Sequence, residues 1–200
     1  SVAQGGRKAP QVLKPALGND AGLAAALAQS TQGLADAVAH DAIPAPILLD
    51  ALLCVARAAP AGATRQAARD RLQAQFQAEA AAHQRIPSAA RLLTLGDVTA
   101  RDYLRDLARR RGPDQLPAAL ALATEGDLDA ASLFRDVIRR PQIDATARQL
   151  AAEGLGLAGD VEDARLLGEA LRAAGAGPPE LRQAVAVAIL RLGALDPAAL

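Results

Sequence analysis

Small and hydrophobic residues recur in the same order around four glycines in the second half of the chain. The glycines are separated by 30, 33 and 34 residues and are Gly96, Gly126, Gly159 and Gly193. An alanine lies seven residues before each glycine, and a large aliphatic residue lies four residues before it: Leu92, Leu122, Leu155 and Ile189. Helical spacing that repeats at this period is typical of stacked helix pairs. The pattern therefore predicts an all-α fold, an α-solenoid of antiparallel helix pairs.

The residues around each glycine predict one helix–turn–helix unit. Glycine adopts the left-handed conformation that ends many helices, so the first helix of the unit, helix A, should end there. An aspartate follows at once in three units, and aspartate is a favoured N-cap for the second helix, helix B: Asp97, Asp127 and Asp160. Bulky pairs seven and eight residues after the glycine should be buried between units: Tyr103–Leu104, Leu133–Phe134 and Leu166–Leu167.

The chain divides into three regions. Glycine and proline cluster in residues 1–20, which predicts a flexible leader. Residues 21–86 predict three helices, Ala21–His40, Ala45–Ala59 and Thr64–His83, which are either degenerate repeats or a separate cap. Residues 87–200 hold the repeats, and the last unit is incomplete because Gly193 is followed by Asp196–Pro197 and no second helix. We therefore expect the chain to be a fragment of a longer protein.

Composition narrows the classes of function. The chain carries 22 basic and 22 acidic residues, whereas nucleic-acid-binding modules usually carry a basic excess. The longest apolar stretch, residues 42–56, is too short to span a bilayer and is interrupted by Pro44, Pro46 and Asp50. We expect a cytoplasmic protein without membrane insertion, and leave open a removed N-terminal signal or a preceding domain because the first residue is Ser1.

The residues best suited to catalysis or metal binding are scattered. Cys54 lies in an apolar run and is expected to be buried as a small hydrophobe. His40 and His83 are 43 residues apart and are expected at helix ends, far from any cluster of metal ligands. No phosphate-binding loop or nucleophile elbow is present in the sequence. We therefore expect no enzymatic activity, no cofactor and no metal site, and interpret the aspartate column as helix caps.

Two segments carry a resemblance to a known family. Residues 151–167 read Ala-Ala-Glu-Gly-Leu-Gly-Leu-Ala-Gly-Asp-Val-Glu-Asp-Ala-Arg-Leu-Leu, and residues 181–193 begin the next unit in the same register. They resemble the HEAT-repeat superfamily, in particular the short bacterial HEAT-like repeats related to phycobilin-lyase subunits, over roughly residues 87–200. The resemblance implies that the B helices line a concave, partner-binding face. Longer eukaryotic repeats often place a basic residue six positions after the aspartate, where this chain has Tyr103, Leu133 and Leu166.

Regular columns of charge run along the B helices. An acid lies ten residues after each glycine and an arginine thirteen after it: Asp106 and Arg109, Asp136 and Arg139, Glu169 and Arg172. Arg105 and Arg135, nine residues after their glycines, extend the basic set. All are expected to be exposed, where ion pairs contribute about 0–1 kcal/mol each.

These columns suit a charged protein partner better than a nucleic acid, because the acids would repel phosphates. The hypothesis is a non-catalytic scaffold or assembly module that binds another protein through its B-helix face. The alternatives are a HEAT-like lyase or chaperone-type protein that holds a small molecule in its groove, and a HEAT-like DNA-repair glycosylase.

Overall fold

The computed structural model describes residues 21–174 and 178–193, and these residues form an array of helices. The predicted leader at 1–20 and the Asp196–Pro197 segment lie outside the described residues. Within the described ranges there are ten α-helices and no strand: α1 Ala21–Ala39, α2 Ala45–Ala58, α3 Ala63–Ala78, α4 Ala82–Thr94, α5 Val98–Arg109, α6 Gln115–Thr124, α7 Ala131–Ile138, α8 Ala145–Ala158, α9 Val161–Ala174 and α10 Pro179–Gly193. The prediction of an all-α fold is confirmed.

The helices stack as repeated pairs. In the repeat half, α4, α6, α8 and α10 are the A helices, and α5, α7 and α9 are the B helices. Each A helix packs against the next A helix, and each B helix packs against the A helix that follows it. The turns between the helices of a pair also meet, since Thr94 Oγ1 donates a hydrogen bond of 2.6 Å to Glu125 Oε1 of the next turn. The predicted packing of repeated helix pairs is therefore confirmed, and the turns of the first two units lie side by side.

The anchor glycines end their helices in two ways. Gly96 and Gly126 both have φ of 82°, the left-handed conformation that the sequence predicts. Gly159 instead has φ of −80° and ψ of −179°, so the prediction of a left-handed residue was wrong there. A Cβ at Gly159 would lie 2.7 Å from Asp163 Oδ2, so glycine is needed for close approach rather than for its φ.

The predicted helix boundaries need correction between the third predicted helix and the repeats. This helix, α3, begins after Gly62 rather than at a Thr64 cap and ends at Ala78, so that His83 belongs to α4. The first repeat starts at Ala82 and not at Pro87, which lies inside α4. Proline removes one backbone hydrogen bond from a helix interior. The buried side chains on either side of it, Ile86 and Ser88, hold the helix in place.

The N-terminal helices share a core with the first unit. α2 packs against α4, and Arg91 of α4 binds Asp50 of α2 at 2.7 Å. Phe76 of α3 and Tyr103 of α5 meet edge to face, with ring centroids 5.2 Å apart. The N-terminal helices and the first unit thus form one continuous core.

The core consists mainly of alanine and leucine and forms two clusters that meet at α6. Ala118, Ala121 and Leu122 belong to the N-terminal cluster, whereas Ala119 and Ala123 belong to the C-terminal one. Among the residues predicted to be buried in the second and third units, Leu122, Phe134, Leu155 and Leu167 are buried, and Leu133 and Leu166 are half-buried against the same core.

Cys54 is exposed, so the expectation of a buried thiol was wrong. The buried face of α2 consists of Ala51, Leu52, Val55 and Ala56. At helical periodicity Cys54 falls on the opposite side of α2. An apolar run does not by itself identify which face of a helix is buried.

We predict that Phe134→Ala lowers the free energy of unfolding by about 3–5 kcal/mol, because Phe134 is fully buried and its loss leaves a large cavity. Chemical denaturation measures this change. Leu128→Ala is the matched control, since 64% of Leu128 is exposed and its truncation should cost little. A loss below about 1 kcal/mol for Phe134→Ala would contradict the packing described here.

A second substitution tests the same contact from the other side. A Cβ added at Gly154 of α8 would overlap the Phe134 ring, so Gly154→Ala should destabilise the wild-type protein. In the Phe134→Ala background the space is free, and the higher helix propensity of alanine should make the same substitution stabilising, by up to about 1 kcal/mol. An effect of equal sign in both backgrounds would contradict the contact.

Candidate partner-binding surface

The aspartates after the anchor glycines cap the B helices. Asp97 accepts a hydrogen bond of 2.8 Å from the amide of Ala100 at the start of α5. Asp127 accepts one of 3.1 Å from the amide of Asp129 and so caps the short 3-10 helix Leu128–Ala130, which leads directly into α7. Asp160 accepts one of 3.0 Å from the amide of Glu162. A cap of this kind satisfies amides that have no partner within the helix. The interpretation of this column as helix caps is confirmed.

Arg105 and Arg135 bind the caps of the following unit. Arg105 of α5 forms an ion pair of 2.8 Å with Asp127, the cap at the start of the next B helix. Arg135 of α7 makes the equivalent contact with Asp160 at 2.9 Å, and a second one, 2.6 Å long, with Asp163. These two arginines are therefore held between units. The expectation of an exposed, weakly paired residue was wrong for Arg135, because stacking brings the next turn against α7 and encloses the contact with Asp163. The Arg105 side chain binds the next unit but stays 41% exposed.

The contact between Arg135 and Asp163 is the most enclosed of these ion pairs. The Asp163 side chain is 4% exposed, and it also accepts a hydrogen bond of 2.9 Å from the amide of Asp160. Burial alone would raise the pKa of Asp163, but the hydrogen bonds from Arg135 and the Asp160 amide, with the charges of Arg135 and Arg139, lower the pKa below its usual value. The hydrogen bond to Asp163 raises the pKa of Arg135 in return.

The column of stacking arginines ends at the third unit. The residue nine positions after Gly159 is Gly168, and a Cβ there would meet no atom within 4 Å. The ion pairs therefore join the first unit to the second and the second to the third. They are absent at the corresponding place on α9, within the described residues.

The remaining predicted residues lie on the exposed surface of the B helices. Asp106 pairs with Arg110 and Glu169 pairs with Arg165, each within one helix at i,i+4 spacing. The other four are exposed and have no ion-pair partner in the described part of the chain: Arg109, Asp136, Arg139 and Arg172. The structure thus divides the predicted set into stacking residues, helix-stabilising pairs and free surface charges.

A groove of about 230 Å³ opens between α5 and α7, two successive B helices. Its apolar wall includes Ala108 and the half-buried Leu133. Arg109 and Asp129 bring charge to its lining, which also contains the Arg105–Asp127 ion pair. This groove combines an apolar surface with an unpaired arginine.

An apolar residue at one repeated position is exposed in the first two units, which the sequence analysis did not predict. Val98 and Leu128, two positions after their glycines, are 63% and 64% exposed, and Val161 at the same position is half-buried. An aliphatic residue directly follows each of the three aspartates, and this repeated pattern was the signal in the sequence from which the position could have been noticed. These side chains lie at the edge of the array that carries the turns.

Histidines and other ligand types do not gather in the described residues. His40 follows the end of α1, as expected, and His83 lies in the first turn of α4 instead of at the end of the third helix; both are exposed. No group of three or more His, Cys, Asp or Glu residues in the described ranges could hold a metal ion. No helix among those described is long and apolar enough to cross a membrane.

Comparisons with protein-family models, with curated proteins and with solved structures found no match to this chain.

We predict that Arg135→Ala lowers the free energy of unfolding by about 1–3 kcal/mol, since it leaves the buried Asp163 without its cation. Arg105→Ala should cost about 1 kcal/mol or less, because that pair is more exposed. Arg109→Ala, which breaks no ion pair in the described residues, is the control. Equal stability of the Arg135 and Arg109 variants in urea would contradict the stacking role.

We also predict a pH-dependent difference between the wild type and Asp163→Asn. The pKa of Asp163 is lowered by folding, so its ionised form stabilises the protein above the unfolded value of about 3.9. This contribution is lost as the pH falls through the folded-state pKa. The stability gap between the two proteins should be largest near neutral pH and should shrink below about pH 4. Asp136→Asn, an exposed matched control, should show no gap at neutral pH, and a constant gap for Asp163→Asn would contradict the prediction.

Proposed function

We propose that this protein is a non-catalytic, HEAT-like scaffold that binds another protein through its B-helix surface, with the α5–α7 groove as the centre of contact. The proposal rests on one observation: a partly apolar groove beside two B helices has an arginine without an ion pair in the described residues, Arg109, in its lining. Arg139, which directly follows the last residue of α7, adds a second exposed arginine at the end of the next B helix.

The different roles of the arginines on the B helices support this location for the binding surface. Arg105 and Arg135 are engaged with aspartates of the next unit, so they are not free to pair with a partner. Arg109 and Arg139 lie four residues further along the same helices, one helical turn away, and remain exposed. Free charges beside an apolar surface steer association and select the partner by charge complementarity.

The chemistry of the groove indicates the class of partner. Ala108 and Leu133 would accept an apolar side chain, and Arg109 would pair with a nearby carboxylate. Asp129 in the same groove and Asp136 on α7 would repel the phosphates of a nucleic acid. A short protein segment with an apolar anchor next to an acidic residue fits these features.

The absence of a catalytic role is part of the proposal. The exposed His40 follows α1, whereas the exposed His83 lies in the first turn of α4, 43 residues later. Cys54 is an isolated thiol on the exposed face of α2. Nucleophilic or general acid–base catalysis requires such groups within hydrogen-bond distance of one another. We propose no cofactor and no metal for this chain.

The test uses peptides displayed on phage, selected on the immobilised full chain. Peptides that carry an aliphatic or aromatic residue beside Asp or Glu should be enriched, and they should bind Arg109→Glu/Arg139→Glu at least about tenfold more weakly, since like charges would then oppose each other. Circular dichroism should show the same helicity for both proteins, because neither arginine forms an ion pair among the described residues.

Arg57→Glu/Arg182→Glu is the matched control, with the same change in net charge on exposed arginines of α2 and α10. Peptides should bind this control as they bind the wild type. Equal binding to all three proteins would place the contact elsewhere. Enrichment of peptides without acids would contradict the proposed partner chemistry.

A further inference from the structure

A groove of about 350 Å³ lies between α1 and α3, with α2 as its floor. The C-terminal half of α1, the N-terminal half of α3 and the buried Val55 of α2 line this α1–α3 groove. The α5–α7 groove has the same construction, since it is lined by the C-terminal half of α5, the start of α7, and Ala119 and Leu122 of α6. The two grooves therefore occupy equivalent places along the array.

A small residue opens the α1–α3 groove. The position six residues after the N-cap holds Tyr103 in α5 and Leu133 in α7. In α3, whose N-cap is Gly62, the same position holds Ala68, which lines the groove. The alanine leaves free the volume that a tyrosine or leucine side chain occupies in the other two helices. Between the two grooves, the Tyr103 ring packs against Phe76 and fills the corresponding space.

The lining of the α1–α3 groove is mostly alanine and valine, with charge at its edge. Asp36 is exposed there and accepts a hydrogen bond of 2.9 Å from Gln32, but it forms no ion pair within the described residues. The other charged residue of the lining, Arg71, is already engaged with Asp41 and with the carbonyl of Val38. The groove therefore offers an apolar recess beside a carboxylate that has no cation.

The free charge of this groove is opposite to that of the α5–α7 groove. The residue without an ion pair is Asp36 in the first and Arg109 in the second. Charge complementarity selects the partner at surfaces of this kind. A segment with a basic residue beside one apolar side chain and an acidic residue beside another would match both grooves.

The spacing of the floor helices sets the distance between the two apolar side chains. α2 packs against α4, and α4 packs against α6. Packed helices lie about 8–10 Å apart, so two steps from α2 to α6 amount to roughly 16–20 Å. An extended chain advances about 3.3 Å per residue, so the two side chains would be about five or six residues apart.

We infer that the α1–α3 groove binds a second anchor of the same protein segment whose acidic anchor occupies the α5–α7 groove. This inference rests on the proposed function and specifies its partner. The segment is extended and carries two apolar anchors, with lysine or arginine beside the anchor near Asp36 and aspartate or glutamate beside the anchor near Arg109. The part that joins the anchors would cross the contact between α3 and α5.

Random peptides displayed on phage, about 16 residues long, are a suitable probe because they can cover both grooves in extended form. Selection on the full chain should enrich peptides with both anchors at the expected spacing. Such a peptide should bind Asp36→Arg at least about tenfold more weakly than the wild type, because its basic residue would then face a like charge.

Asp70→Arg is the matched control for Asp36→Arg. Asp70 is also exposed and accepts a hydrogen bond, 2.7 Å long, from a glutamine four residues earlier, Gln66. It does not line the α1–α3 groove. The selected peptide should therefore bind Asp70→Arg as it binds the wild type.

Ala68→Leu tests the apolar recess itself. Leucine occupies this position in α7, and in α3 its side chain would fill the groove. The substitution should weaken binding of the selected peptide by at least about tenfold. A peptide shortened to its acidic anchor should bind the wild type, Asp36→Arg and Ala68→Leu equally. Asp36→Arg changes an exposed residue and decides the test if circular dichroism shows that Ala68→Leu does not fold.

The outcomes separate this inference from the proposed function. Binding that Arg109→Glu weakens, but that Asp36→Arg and Ala68→Leu leave unchanged, would overturn the second anchor and leave the proposed function intact. Selection of no peptide, or of peptides insensitive to all three variants, would overturn both. Displacement of the selected peptide by a synthetic copy of residues 1–20 would assign the groove to that segment of this chain and overturn the inference.

Discussion

The contact between one B helix and the cap of the next unit is the constraint on which the stacking of the described array depends. A single helix pair cannot bury its own apolar face, so each unit needs a neighbour in a fixed register. Arg135 provides this register because it binds both the cap residue Asp160 and the buried Asp163. Gly159 belongs to the same arrangement, since only a residue without a side chain allows Asp163 to lie so close to the turn. The cap residue Asp160, the buried carboxylate of Asp163 and the spacing between the second and third units thus all depend on Arg135.

Small residues set how closely the units approach. Gly154 lets the Phe134 ring pack directly against the backbone of α8, and a Cβ at Gly156 would lie 2.9 Å from the Cα of Ala188 in α10. With so few aromatic residues, the core gains its stability from many close contacts of moderate size rather than from a few large anchors. This explains why glycine recurs inside α8, a position where it costs helix stability. The loss in propensity is offset by contacts that a larger residue would prevent.

The same stacking determines which surfaces remain for partners. It engages Arg105 and Arg135 in ion pairs with the next unit and leaves Arg109 and Arg139 exposed, four residues further on, without an ion pair in the described residues. It also covers the apolar face of each A helix until α10, where the covering unit is absent from the described residues. The B-helix groove that we propose for binding offers charge beside a small apolar area.

The sequence by itself determined the helical class, the repeat and most local signals. Alternation of small and large residues around each glycine identified the helix pairs, and Asp97, Asp127 and Asp160 were recognised as caps because capping depends on neighbouring residues alone. Tertiary structure decided what those signals could not: that Gly159 is extended, that Cys54 is exposed, and that Arg105 and Arg135 bind aspartates of the next unit. Periodicity places a residue on a face of its helix, but the orientation of that face and its distance from the next unit follow only from packing. A charge column therefore has the same appearance in sequence whether it joins two units or remains at the surface.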